Sequence, residues 1–183
     1  MARHTLSRSL HDLGLAAWFG GTLANAVSLN PAAGQPLHSS DSGRVANTGW
    51  DRWTPVNAAA IGAHLAGSVG QLLGNRGRLV SQRGVGTMAL TKTALTVAAL
   101  GVTGYARVLG KKVSAHHDVP VADATTPTAG TPDDVASAQR QLAALQWAVP
   151  ALTGALVVVS SFAGEQQRAS EVVAGTKGRL SAS

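Results

Sequence analysis

The chain has 183 residues, enough for one domain, and is 45% hydrophobic but only 13% charged, against roughly 25% charged in an ordinary water-soluble domain. Such a composition excludes a disordered chain. The lack of cysteine excludes a disulfide-stapled domain, a thiolate metal site, a cysteine nucleophile and an iron–sulfur cluster. A net charge of +6 invites a nucleic-acid reading, yet the basic residues form no single stripe.

They flank apolar stretches instead, as Arg3 and Arg8, Arg76, Arg78 and Arg83, and Arg107, Lys111 and Lys112 do. The stretches 13–29, 54–75, 84–106 and 141–164 hold one charged side chain between them, Lys92. Segregation of this kind is what a bilayer imposes, since a charge in hydrocarbon is costly. The expected fold is therefore all-α: a polytopic membrane protein, one membrane domain over 1–183, with four transmembrane helices in an antiparallel bundle and no nucleic-acid partner. A soluble four-helix bundle is permitted by the mean hydropathy of +0.11, but its helices would each carry charges along one face.

The first helix is expected near 9–30; Asn25 and Ser28 make it too polar for a good signal peptide, although Ala24-Asn25-Ala26 imitates a cleavage site, and the segment is read as retained. A Pro/Ser/Gly-rich outer loop over 31–53 leads to a second helix near 54–75 and a third near 85–108. The outer loop 109–132 has three prolines beyond residue 113 and no hydrophobic periodicity, which reads as a flexible excursion. Thr131-Pro132-Asp133-Asp134 supplies an N-cap, a proline at the first helical position and two acids in the first turn, so the fourth helix, 133–165, starts before its apolar part and projects from the membrane. Pro150 should bend it. The third and fourth are apolar enough to insert alone, while the first two, richer in small and polar residues, need help.

Both termini are expected in the cytoplasm, with 166–183 as a cytoplasmic tail, because the amino terminus, the 76–83 turn and the tail carry basic residues with little acid nearby. The 31–53 and 107–140 loops balance their bases with aspartates, although Arg107, Lys111 and Lys112 count against this orientation. Trp50, Trp53, Tyr105 and Trp147 all fall toward the outer interface, where amphipathic rings prefer to lie.

Helix two is the most informative. Ala58, Gly62, Ala66, Gly70 and Gly74 recur every four residues, a small-residue groove expected to pack closely against a neighbouring helix. Asn57, His64 and Gln71 recur every seven on another face. Helix one carries a matching stripe of His11, Trp18 and Asn25, and an antiparallel pairing sets Asn25 level with Asn57, Trp18 with His64 and His11 with Gln71. These side chains serve either as polar glue between helices or as a ligand or proton path. A haem held by His11 and His64 is opposed by depth, since the two lie about 12 Å apart along the bundle in that register. Asp12 and Lys92 either pair near the inner face or reach water separately, Lys92 by snorkelling.

His116-His117-Asp118 is a weak surface metal candidate, better read as a solvated loop. No P-loop, dinucleotide fingerprint, nucleophile elbow or HExxH occurs, so the chain is not read as an enzyme and no cofactor is assigned. The run Leu10-His11-Asp12-Leu13-Gly14-Leu15-Ala16-Ala17-Trp18-Phe19-Gly20-Gly21 resembles the first-helix H-x-x-G-x-x-x-W-x-G-G pattern of bacterial copper-resistance-D-type membrane families. That resemblance implies a multi-helix membrane protein linked to copper handling, although two methionines and no cysteine leave copper few ligands. The Ala/Arg/Gly/Thr-rich style is similar to that of small actinobacterial membrane proteins. The expected role is structural or accessory, packing in the lipid bilayer against itself as a homo-oligomer or against a larger membrane-protein partner. A small carrier or proton-coupled protein is the alternative, and a haem-binding cytochrome-like subunit ranks third.

Overall fold

The computed structural model describes residues 5–35, 38–77, 84–116 and 118–165. Among these the fold is all-α, with four long helices, no strand and one isolated bridge between Val121 and Pro127. α1 covers Thr5–Ala24 and continues through a π-helical stretch, Asn25–Leu29, into a last turn at Asn30–Ala32. α2 is Ser39–Gly74, α3 is Val85–Ser114 and α4 is Asp133–Glu165.

The largest departure from expectation is α2, which starts at Ser39 and not near 54, so that most of the 31–53 loop is helix. The local chemistry explains it. Asp41 lies in the first turn, where the helix dipole favours an anion, and accepts the Arg44 guanidinium at 2.6 Å one turn on. Thr48 and Thr54 donate back to the carbonyls of Arg44 and Trp50 at 2.8 and 2.7 Å, hiding their polarity within the helix. Pro55 lies inside the helix without ending it. With 36 residues α2 is about 54 Å long, well beyond the roughly 30 Å of a hydrocarbon core.

α3 likewise runs past 108 to Ser114, which brings Lys111 and Lys112 into its last turn, where the carbonyl end attracts cations. Its N-cap, Gly84, has φ 83°, a left-handed conformation that glycine adopts at no steric cost. The segment before α4 is a closed structure, contrary to the flexible excursion expected. Thr131 Oγ1 donates to the Pro120 carbonyl at 2.6 Å and accepts the Thr128 N–H at 2.8 Å, and Val121 and Ala124 are buried. Thr131 is thus occupied by the loop, and the Ala136 N–H bonds the Pro132 carbonyl at 2.8 Å.

α1 lies along α2, α3 along α4, and α1 also packs on α4, whereas α2 and α3 scarcely touch. Paired residues run in opposite directions along each neighbouring pair, as Leu29 with Gly49 and Ser7 with Gly70, or Tyr105 with Gln141 and Lys112 with Asp134, so neighbours are antiparallel. The core joins all four helices through Trp18, Ala60, Ala99 and Val149.

Two helices, α3 and α4, are long and apolar enough to cross a membrane. Only 6% and 22% of their apolar windows is buried within the protein, whereas a core helix of a soluble bundle would be mostly enclosed. Leu90, Val97, Val108, Val158 and Phe162 all point outward.

Candidate functional site

The α1/α2 seam is set by glycines. A Cβ at Gly14 would fall on the Ala60 carbonyl and the His64 nitrogen, and one at Gly67 on the His11 nitrogen and within 2.5 Å of the Ser7 carbonyl. The two backbones therefore touch where neither residue has a side chain, which is how helices associate when apolar surface alone gives no drive. His11 stands opposite Gly67, one turn from the expected register that set it level with Gln71.

This seam is on a different face from the expected groove. Ala58, Gly62, Ala66 and Gly74 are exposed, and a Cβ at Gly62 would meet nothing within 4 Å. Of the five, only Gly70 approaches α1, through Ser7. The face carrying His64 is the buried one, because Ala60 and Gly67 beside it are small enough to let α1 close upon it.

The register shift brings His11 and His64 together. Both are buried, with ring centroids 4.5 Å apart, and Trp18 lies 6.1 Å from His64. Asp12 accepts from His11 Nδ1 at 2.7 Å, and the His11 carbonyl accepts from His64 Nδ1 at 3.3 Å. Since a carboxylate or a carbonyl only accepts, each Nδ1 carries hydrogen and each neutral ring keeps its lone pair on Nε2. Both Nε2 atoms are buried and make no hydrogen bond among the described residues. The depth argument against a haem fails in this register, but rings in mutual contact leave no space for a macrocycle between them.

Lys92 makes no ion pair with Asp12 among the described residues; Asp12 is engaged by His11 and its side chain is 61% exposed. Of the other expected stripe residues, Asn25 Nδ2, Asn57 Oδ1 and Gln71 Nε2 are buried and have no hydrogen-bond partner among the described residues. The expected Asn25–Asn57 zip does not form.

Where α2 and α3 part, two cavities open one above the other. The upper, of about 260 Å³, lies toward the loop end, lined by Asn30, Trp53, Asn57, Thr103, Gln139 and Gln146 among others. The lower, of about 360 Å³, is lined by Leu65, Ser68, Gln71, Lys92, Thr96 and Leu100 among others. Neither is lined by His11 or His64.

Asn30 organises the upper end. It is buried, donates to Gln146 Oε1 at 2.8 Å and accepts from Trp50 Nε1 at 3.0 Å, tying α1, α2 and α4 together. The π-helical stretch just before it turns both Ala26 and Asn30 inward. At the same end Arg107 meets Asp51 at 3.7 Å and Lys112 meets Asp134 at 3.3 Å, so two of the bases that opposed the expected orientation are neutralised. Lys112 also holds the Asp134 carboxyl below its usual value, through its hydrogen bond first and its charge second.

Sequence reasoning missed Asn30, Gln139, Gln146 and Thr103. A signal for two of them existed, since Gln139, Gln146, Thr153 and Ser160 recur every seven residues along α4. Gln139 and Thr153 are fully buried, and Gln139 Nε2 reaches the Asp123 carbonyl at 3.2 Å. His116 and Asp118 form no three-ligand metal group, none being found among the described residues, and His117 lies outside them. Comparison with protein-family models, curated proteins and solved structures finds no match.

Proposed function

We propose that the chain is an integral membrane protein of structural or accessory type, its four helices crossing the cell membrane with both termini cytoplasmic, that packs against itself or a larger membrane complex. The observation that carries this reading is the outward face of α2. Ala58, Gly62 and Ala66 are exposed at four-residue spacing, and the fold uses a different face for its own packing. In lipid a small-residue stripe gains little from acyl chains and much from the close approach of another helix. Pairing of Arg107 and Lys112 with aspartates supports the orientation, because it leaves the 76–83 turn as the more basic end.

Oxidative cross-linking tests it, since the chain has no native cysteine to interfere. Ala66→Cys should form a disulfide dimer, or a cross-link to a partner, in native membranes, and Gly62→Leu added to it should abolish the product without unfolding the bundle. A monomer in both cases refutes the reading. A second reading, a small carrier, is favoured by the cleft between α2 and α3 with Lys92 facing it. Its test is flux in proteoliposomes, with Lys92→Met inactive.

A further inference from the structure

The lower cavity differs from the upper in its charge. Arg107, beside the upper cavity, is matched by Asp51, whereas Lys92 faces the lower one without an ion pair among the described residues. Asp12 attracts Lys92 from beyond ion-pair distance, but that carboxylate is bonded to His11 and 61% exposed, so a closer anion would answer a cation that is costly within an apolar span.

The other hydroxyls lining the space are already used. Ser68 donates to the His64 carbonyl at 2.8 Å, Thr93 to that of Ala89 at 2.9 Å and Thr96 to that of Lys92 at 2.8 Å. What remains is the Lys92 ammonium and Gln71 Nε2, a buried donor with no hydrogen-bond partner among the described residues. Two donor groups from facing helices match an acceptor with two oxygens and a negative charge.

Around these two donors the lining is mostly apolar. Leu72, Val85 and Met88 lie with Gln71 and Asn75 toward the 76–83 end, and Leu65, Val97 and Leu100 lie toward the middle of the bundle, with Lys92 between them. A ligand with an anionic head and an apolar chain fits such a lining, the head at Lys92 and Gln71 and the chain along the apolar side chains on the mid-bundle side of Lys92. The volume, about 360 Å³, is at the small end of ligand pockets, roughly 300–1,000 Å³, and favours one chain over two.

We propose that the lower cavity between α2 and α3 binds a long-chain fatty acid, its carboxylate held by Lys92 and Gln71 and its acyl chain along Leu65, Val97 and Leu100. The site rests on the membrane reading above, from whose failure its own is distinguishable. A chain released from membranes by alkaline carbonate overturns the membrane reading, whereas a chain that stays membrane-integral but shows no carboxylate preference overturns the site alone.

The experiment uses the full chain in non-ionic detergent, a fluorescent polyenoic fatty acid as reporter, and palmitic acid, its methyl ester and phosphatidylglycerol as competitors. Palmitic acid should displace the reporter roughly tenfold more strongly than the ester, the factor expected for a charge-assisted hydrogen bond. Lys92→Met should abolish that preference, Lys92→Arg should keep it within about threefold, and Gln71→Leu should weaken the acid but not the ester. Equal binding of acid and ester by the unaltered protein overturns the proposal without recourse to any variant. So does an unchanged acid affinity in a folded Lys92→Met, or displacement by phosphatidylglycerol at a lower concentration than palmitic acid.

Discussion

Gly67→Ala and Gly62→Ala make a decisive pair, because they add the same methyl group to two faces of one helix. At Gly67 the new Cβ would lie 2.5 Å from the Ser7 carbonyl oxygen and 2.7 Å from the His11 Cα, and both neighbours are backbone. No rotamer change relieves such a contact; α1 must move away by about 1 Å to restore ordinary contact near 3.5 Å. Overpacking of this kind costs about 1–3 kcal/mol, offset by roughly 1 kcal/mol from alanine's better helix propensity. The net expectation is a loss of up to about 2 kcal/mol. At Gly62 the Cβ meets nothing within 4 Å, so only the propensity gain remains and Gly62→Ala should be neutral or up to about 1 kcal/mol stabilising in the isolated chain. Unfolding of purified protein followed by helical circular dichroism in mixed micelles of increasing denaturing-detergent fraction measures both. Equal effects, or a larger loss at Gly62, would refute the register and restore the outward stripe as the internal seam.

Three further outcomes follow from the contacts. Asn30→Ala strips partners from Trp50 Nε1 and Gln146 Oε1 at once and should cost about 2 kcal/mol or more, whereas Asn25→Ala, whose Nδ2 makes no hydrogen bond among the described residues, should cost less than about 1 kcal/mol; the same unfolding titration ranks them, and the reverse order is the refuting result. Asp12→Asn and Lys92→Met should be only weakly coupled, because Asp12 bonds His11 and attracts Lys92 without an ion pair, so a double variant that recovers most of the lost stability would show a close pair the structure lacks. Single cysteines at Gly77 and Ala129 should be labelled by an impermeant thiol reagent only after permeabilisation and from outside, respectively; the opposite pattern would invert the topology.

Composition and charge placement alone determine that this chain makes long helices with almost no charge in their central parts, and that α3 and α4 are the most apolar of them. The start of α4 is legible too, in Pro132 followed by Asp133 and Asp134, because capping chemistry is local. The start of α2 was hidden, since Ser, Gly and Asn before Trp50 look like a loop until the Asp41–Arg44 pair and the buried contact of Ala46 with Ala33 and Ala124 are in place. Which face of α2 packs inward was also beyond the sequence. Small residues occur on two of its faces, and a four-residue repeat reads as the better seam until Gly14 on α1 selects Ala60 and His64 as its contacts. Periodicity along one helix states which residues share a face; it does not state which face meets which neighbour. That choice belongs to the tertiary structure, and by shifting α1 one turn it brings His11 onto His64, engages Asp12 with His11 and not in an ion pair with Lys92, and leaves Lys92 beside the cleft where α2 and α3 fail to close.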